Sequence, residues 1–374
     1  MGSASYVGDM NAPRAGRTRR RTVVSSLAIR LAMCGILLLV GMAGCSTAPG
    51  VSSTTTGINS SSLNHLHDML PLHGMVGTML VATHLGLYRT TDRGQTWREV
   101  AGGPGQVMDS LMIFKLAQSP VDPKRIYALA GLRTSTPPPA VPGVYTSADA
   151  GLTWKLAASF ASLSTVSVYT ISATAKTADS VYAFLPPRAS NGLMASADAG
   201  GHWQAQPALP ISDITGVASD PSRPEHLLVW SVAGGLYQST NQGTSWEAVP
   251  SVEGGVYALS FAGDQIYVQS DSGMFVSDAT GTRFHLVNGA VNYSSVSFSA
   301  STPNEGYGLT GTGVERTMDG GKTWQATALL KGHPSLIAVD PDDARIAYVG
   351  FSYPVGLDIS TDGGQHWRSI LAAS

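Results

Sequence analysis

One short motif occurs six times in this chain of 374 residues. Each copy reads Ser/Thr-x-Asp/Asn-x-Gly-x-x-Trp, and the copies begin at Thr90, Ser147, Ser196, Ser239, Thr317 and Ser360. A seventh unit keeps the spacing at Ser277, Gly281 and Phe284 but lacks the central Asp. Every unit also has a Gly four residues before its Ser/Thr, namely Gly86, Gly143, Gly192, Gly235, Gly273, Gly313 and Gly356. The units begin 38 to 57 residues apart, and repeats of about 40 residues are typical of propeller blades.

The chemistry of the motif predicts a hairpin turn between two strands. The Asp side chain accepts hydrogen bonds from turn amides, the Gly adopts a positive φ, and the Ser/Thr hydroxyl fixes the strand end. The Trp begins the next strand and fills the space between neighbouring sheets. These residues are therefore predicted to be structural: Asp92, Asp149, Asp198, Asn241, Asp319 and Asp362, with Trp97, Trp154, Trp203, Trp246, Trp324 and Trp367.

Two further strands per unit are predicted between the motifs, which gives four strands, A to D. In unit two they are expected at Leu111–Gln118, Arg125–Leu132, Val144–Ser147 and Trp154–Ala157. In unit seven they are expected at Ser335–Val339, Arg345–Phe351, Leu357–Ser360 and Trp367–Leu371. With 42 Gly and only 13% charged residues, the composition also favours short strands joined by tight turns. The predicted fold is an all-β, seven-bladed β-propeller of four-stranded antiparallel blades over 65–374, closed by packing between blades one and seven.

The first 44 residues differ from the rest of the chain in composition. Six arginines precede an apolar run from Leu31 to Gly44, which is too short to span a bilayer and is typical of a cleaved signal peptide. The run ends at Met42-Ala43-Gly44-Cys45, which resembles a bacterial lipobox and implies lipidation of Cys45; an ordinary signal peptide is the alternative. Residues 45–64 are rich in Ser and Thr and are predicted to form a tether. The protein is thus predicted to be exported, either secreted or lipid-anchored at the outer face of the cytoplasmic membrane or at the cell surface.

Removal of the predicted signal peptide changes the net charge of the chain. Without residues 1–44 the chain has 17 basic and 24 acidic residues, a net charge of −7 without Lys/Arg clusters. This argues against nucleic acid and anionic lipid headgroups as partners. Cys34 lies within the signal, so the exported domain is predicted to have no internal disulfide. We expect a monomer without a cofactor.

The repeats resemble the Asp-box (BNR) repeats of sortilin/Vps10-like domains, of the Ycf48/Hcf136 assembly factors, and more distantly of sialidases and two-domain xyloglucanases. The resemblance covers about 65–371 and implies a propeller, but a propeller hosts many unrelated activities. The Arg-Ile-Pro signature that precedes the first box of sialidases is absent from the segment HLHDMLPLHGMVGTMLVATHLGLYRT, which counts against sialidase activity.

Candidate catalytic or metal-binding residues are few. The acids outside the boxes that could face the binding side are Asp68, Asp109, Asp213 and Glu253, and none is singled out by its neighbours. His65 and His67 point the same way on a strand and could hold a metal together with His84 or Asp68. The alternative, favoured by the sequence alone, is that they are polar residues at the start of strand A.

Proline-rich connections on the face opposite the boxes favour a binding function. The segments 133–142 and 186–191 are long B to C loops stiffened by proline, and 352–354 is a shorter one. Arg133, Arg188, Trp230 and Tyr353 are the candidate binding residues. The sequence therefore predicts a propeller that binds a protein or a glycan; the alternative is a sialidase-like or xyloglucanase-like glycoside hydrolase.

Overall fold

A computed structural model describes residues 58, 63–133, 139–165, 170–184, 192–207, 209, 211 and 214–371. These residues belong to one compact unit, 53–374. Cys45, Arg188, Asp213 and the predicted signal peptide lie outside the described residues. Among the described residues there is no helix with the length and apolar character needed to cross a membrane.

The described residues form 28 strands in seven antiparallel sheets of four, and each sheet uses four consecutive strands. Blades one to three are β1 (Leu66–Pro71), β2 (Met79–Thr83), β3 (Leu87–Thr90), β4 (Arg98–Ala101); β5 (Leu111–Gln118), β6 (Ile126–Leu132), β7 (Gly143–Ser147), β8 (Lys155–Ser159); and β9 (Thr170–Ala173), β10 (Val181–Phe184), β11 (Leu193–Ser196), β12 (Gln204–Ala205). Blades four and five are β13 (Gly216–Ser219), β14 (Leu227–Ser231), β15 (Gly235–Ser239), β16 (Glu247–Ala248); and β17 (Val256–Ala262), β18 (Gln265–Ser270), β19 (Gly273–Ser277), β20 (Phe284–Asn288). Blades six and seven are β21 (Ser295–Phe298), β22 (Gly306–Leu309), β23 (Val314–Thr317), β24 (Gln325–Ala326); and β25 (His333–Asp340), β26 (Asp343–Tyr353), β27 (Val355–Ser360), β28 (Arg368–Ser369). The predicted seven-bladed propeller is confirmed.

The ring is closed without sharing of strands, because β1 to β4 form blade one and β25 to β28 form blade seven. The ring is closed by the packing of these two blades against each other. Met79, Tyr88 and Trp97 of blade one form a single buried cluster with Leu357 and Ile370 of blade seven. Polar contacts cross the same junction: the Gly77 amide donates to Asp340 Oδ2 at 3.1 Å, and the Gly74 amide donates to Asp342 Oδ2 at 2.6 Å.

Each box folds as its residue types predict. In blade one the Thr90 hydroxyl donates to Asp92 Oδ1 at 2.8 Å and accepts the Gly94 amide at 2.9 Å. Asp92 Oδ1 also accepts the Thr96 amide at 2.8 Å. Gly94 has a φ of +79°, which only Gly adopts without strain. Trp97 differs slightly from expectation: it is the last turn residue, one position before β4, and its indole N–H donates to Gly94 O at 3.1 Å.

Blade five contains a carboxylate that the motif pattern does not reveal. The usual Asp position is Ala279, but Asp278, one residue earlier, accepts hydrogen bonds from the Thr280 amide at 3.1 Å and from the Thr280 hydroxyl at 2.6 Å. Gly281 keeps a positive φ of +72°. The turn is therefore preserved by a shifted Asp.

The boxes and the A to B turns lie on one side of the propeller, which we call the box face. Box amides donate to carbonyls of the A to B turn in the same blade, as Arg93 does to Gly77 at 3.0 Å and Ala150 does to Lys124 at 2.9 Å. The B to C turns and the D to A connections lie at the other end of the strands. We call that side the mouth face, and it is where the predicted binding residues belong.

Candidate functional site

Three histidines of blade one meet on the mouth face. His65 lies just before β1, His67 lies within β1, and His84 is in the turn between β2 and β3. The ring centroids of His65 and His67 are 4.4 Å apart, and those of His65 and His84 are 4.8 Å apart. One imidazole nitrogen from each ring lies within 4.8 Å of the others. We refer to these three residues as the His cluster.

Backbone and side-chain hydrogen bonds hold the segments that present the cluster. The His84 amide donates to the His65 carbonyl at 3.2 Å, which ties the turn to the start of β1. In the turn itself, Thr83 Oγ1 accepts the Gly86 amide at 2.9 Å and donates to the Gly86 carbonyl at 2.8 Å. Asn64 has a φ of +59°, a conformation that Asn tolerates better than most residues. The cluster is therefore built on a fixed frame.

The imidazoles of the cluster are neutral at neutral pH. Burial, followed by the neighbouring His65 and His84, lowers the pKa of His67 from 6.5 to about 3. Burial also lowers the pKa of His65, and burial with the charges of His65 and Arg133 lowers that of His84. A neutral imidazole keeps one nitrogen lone pair. His67 Nε2 and His84 Nδ1 are shielded from solvent and have no hydrogen-bond partner in the structure.

Two charged side chains lie near the turn that carries His84. Arg133, at the end of β6, reaches back to blade one, where its Nη1 donates to the Leu85 carbonyl at 3.4 Å. The Glu99 carboxylate lies beside Gly86 and Gly103, since a Cβ added to either glycine would come within 2.8 Å of it. Burial raises the pKa of Glu99, and the positive charge of Arg133 opposes that rise. Arg133 therefore links the second blade to the site on the first.

The other predicted binding residues have different environments. Tyr353, at the end of β26, has a side chain that is 74% exposed. Trp230 is only partly exposed, because its ring packs over Gly216, where an added Cβ would lie 2.1 Å from the ring. Two aliphatic residues that flank the B to C loop of blade two are also exposed, Leu132 at 50% and Val141 at 48%. We call Leu132, Arg133, Val141 and Tyr353 the mouth surface; they lie on the mouth face of blades seven and two, on either side of blade one.

Two of the candidate acids have structural partners. Asp68 forms an ion pair with Lys115 at 3.1 Å and accepts the Leu116 amide at 2.9 Å, so it joins blades one and two and does not belong to the His cluster. Asp109 accepts the Gly105 amide at 2.6 Å and the Ser110 hydroxyl at 2.8 Å within the connection from β4 to β5. Glu253 is an exposed residue in the connection from β16 to β17.

Sequence reasoning named His84 only as one of two possible partners of the histidine pair, and it overlooked Glu99. The repeat frame could have favoured His84, because it lies two residues before Gly86 and is therefore in a B to C turn. Such a turn lies at the same end of the blade as the start of strand A. Glu99 has no sequence signal, since it is an ordinary residue of a D strand whose carboxylate the fold places beside Gly86 and Gly103.

No family model matches the chain. The xyloglucanase Xgh74A of Acetivibrio thermocellus is 28% identical over 166 residues, a match that covers 36% of this chain and 19% of Xgh74A. The match thus spans about a fifth of that relative. Among solved structures, YCF48 bound to a D1 peptide is similar with a TM-score of 0.51 and 13% identity, over 70% of this chain and 81% of YCF48.

The extracellular domain of a hybrid two-component system of B. thetaiotaomicron is similar with a TM-score of 0.56 and 15% identity, over 80% of this chain and 40% of that protein. At these identities the similarity shows the fold alone. The chain is a seven-bladed β-propeller that resembles Ycf48 and the propellers of xyloglucanases.

Proposed function

We propose that this propeller is a binding module that recognises an extended segment of another protein on its mouth face. The observation that carries the proposal is the composition of the mouth surface. It combines an exposed Tyr and an Arg, the residue types that dominate protein-binding hot spots, with two exposed aliphatic side chains. Leu132 and Val141 favour a protein segment over a sugar, because aliphatic side chains offer no flat ring on which a sugar can stack.

Two prolines beside Val141 support the same proposal. Pro139 and Pro142 restrict the backbone on either side of Val141, which lowers the entropy cost of ordering this segment on binding. A propeller of similar fold, YCF48, has been solved with a D1 peptide, which makes peptides a reasonable first class of probe.

We expect a peptide-display selection against the full chain to converge on related sequences. The Tyr353→Ala and Arg133→Ala variants should bind the selected peptides at least about tenfold more weakly, because truncating a hot-spot Tyr or Arg costs about 2 kcal/mol or more and about 1.4 kcal/mol already corresponds to tenfold. Met318→Ala is the matched control, since Met318 is 64% exposed but lies in a box turn on the box face. Equal binding by all three variants, or selection of glycans alone on a parallel glycan array, would contradict the proposal.

A glycan hydrolase is the second candidate, and the similarity to Xgh74A is the observation that favours it. Hydrolysis of a glycosidic bond by the usual route needs two carboxyl groups on either side of that bond. Asp68 and Asp109 are engaged in structural hydrogen bonds, which supports binding over hydrolysis. Release of reducing sugars from xyloglucan that is lost in Glu253→Gln would establish the hydrolase instead.

We also propose that the protein is exported and anchored through Cys45. The support is the arginine-rich start, the apolar run that follows and the Met-Ala-Gly-Cys sequence at its end. Expressed in a bacterium, the chain is expected to incorporate a fatty-acid label and to partition into detergent, whereas Cys45→Ser should do neither. Cys34→Ser is the matched control and should behave as wild type. Equal labelling of the Cys45→Ser variant would refute the anchor.

A further inference from the structure

The His cluster brings together three ligand atoms of the kind that transition metals prefer. Imidazole nitrogens suit Zn²⁺, Cu²⁺ and Ni²⁺, whereas Ca²⁺ and Mg²⁺ prefer oxygen. A metal–nitrogen bond of about 2.0–2.1 Å in tetrahedral geometry places ligand nitrogens about 3.3 Å apart. In the cluster the nitrogens lie within 4.8 Å of one another, so small rotations of the side chains suffice to reach that spacing.

Two nitrogens of the cluster are left without a partner by the protein. His67 Nε2 and His84 Nδ1 are both shielded from solvent, and neither has a hydrogen-bond partner. Buried polar atoms are nearly always paired, so an unpaired one calls for an explanation such as an ion. Two such atoms on neighbouring rings, whose centroids are 6.0 Å apart, point to a common ligand between them.

The third histidine is oriented by a hydrogen bond of the type that supports metal ligands. His65 Nδ1 lies 2.8 Å from Asn64 Oδ1. Because an amide oxygen only accepts hydrogen bonds, Nδ1 carries the proton and Nε2 keeps its lone pair. Such outer contacts fix the tautomer and the ring orientation of metal-bound histidines. Asn64 therefore prepares His65 for binding through Nε2.

The charges around the cluster do not favour a cation that is held by electrostatic attraction alone. Arg133 Nη1 lies 3.4 Å from the carbonyl of Leu85, the residue after His84, and its positive charge disfavours any cation that binds by charge alone. Asp68, the nearest acid along the chain, is already paired with Lys115. A cation must therefore gain its affinity from direct bonds to imidazole, which again favours a transition metal.

We propose that His65, His67 and His84 bind one divalent transition-metal ion of the zinc class on the mouth face of blade one. Three protein ligands leave a fourth position of a tetrahedral ion for water or for a group of a bound molecule. This site lies between the residues of the mouth surface, and its existence does not depend on the binding function proposed above.

The test is a titration of the full chain, freed of metal by chelator and dialysis, with Zn²⁺ in competition with a chromogenic chelator. We expect one equivalent to bind. His67→Ala removes a ligand and should weaken Zn²⁺ binding by more than about 100-fold. Asn64→Ala removes only a hydrogen bond to a ligand and should weaken Zn²⁺ binding by about tenfold. Bound Co²⁺ should show the visible absorption of a four-coordinate ion.

His202→Ala is the matched control, because His202 pairs with Asp198 at 2.5 Å in a box turn and should leave the affinity unchanged. If His67→Ala fails to fold, as judged by circular dichroism, His84→Gln in a surface turn takes its place. No stoichiometric binding by the wild-type chain, or equal affinity in the folded His84→Gln variant, would overturn the site.

Discussion

Replacement of Trp97 by alanine is expected to lower the free energy of unfolding by about 3–5 kcal/mol, the upper range for loss of a buried aromatic side chain. Trp97 is 3% exposed and belongs to the cluster that joins blades one and seven. Its indole N–H lies 3.1 Å from Gly94 O and 3.2 Å from Ile370 O, so it contacts both sides of the junction. Since no strand is shared across this junction, the cavity would weaken the closure of the ring.

Urea unfolding followed by far-ultraviolet circular dichroism measures this effect. Trp246→Ala is the matched control, because Trp246 occupies the same box position in blade four but is only partly buried, and its indole nitrogen has no hydrogen-bond partner. We expect this control to lose less than about 3 kcal/mol. Equal losses for both variants would show that closure of the ring does not depend on Trp97.

Replacement of Gly143 by alanine should cost about 3 kcal/mol or more, because overpacking against backbone cannot be relieved by a side-chain rotation. An added Cβ would lie 2.2 Å from the Ala158 carbonyl oxygen and 3.0 Å from Ser159 Cα. These atoms belong to β8, which pairs with β7 along this stretch. The substitution therefore forces the two strands apart.

Gly313 provides the control at the equivalent position of blade six. Nothing is closer to its added Cβ than the Thr310 hydroxyl at 3.9 Å, and neither glycine has a positive φ. Gly313→Ala is expected to change stability by no more than about 0.5 kcal/mol. A thermal unfolding series of both variants decides the point. If the two substitutions cost the same, close passage of the strands is not why Gly occupies position 143.

The strands of the best-patterned blades could be located from sequence to within about three residues. β5 runs over Leu111–Gln118 as expected, and β26, predicted at Arg345–Phe351, extends over Asp343–Tyr353. Turn chemistry and alternation of side chains are local, so sequence reports them well. Asp278 in blade five was missed because the motif requires the carboxylate at a fixed position, and Asp278 lies one residue before that position.

The candidate site was only partly predictable. The rings of His65 and His67 do lie side by side, but His65 precedes β1 and the register shifts between Leu66 and Asp68, so strand alternation alone does not account for their proximity. The choice of His84 over Asp68 depended on the direction of the Asp68 side chain, which forms an ion pair with Lys115 of the next blade. Likewise, the packing of Trp230 over Gly216 depends on the pairing of β13 with β14. Such contacts join residues that are distant in sequence, and no local pattern encodes them.

The sequence by itself determined the number of blades, the hairpin in each and the face on which the boxes lie, because each box is a closed set of hydrogen bonds within a few residues. Only the tertiary structure decided how blade seven meets blade one, and which three imidazoles converge on the mouth face. The junction depends on the curvature of the complete ring, whereas the convergence of the imidazoles depends on the pairing of β1, β2 and β3 within blade one. That curvature follows from the packing of all seven sheets, whereas each box forms within its own hairpin.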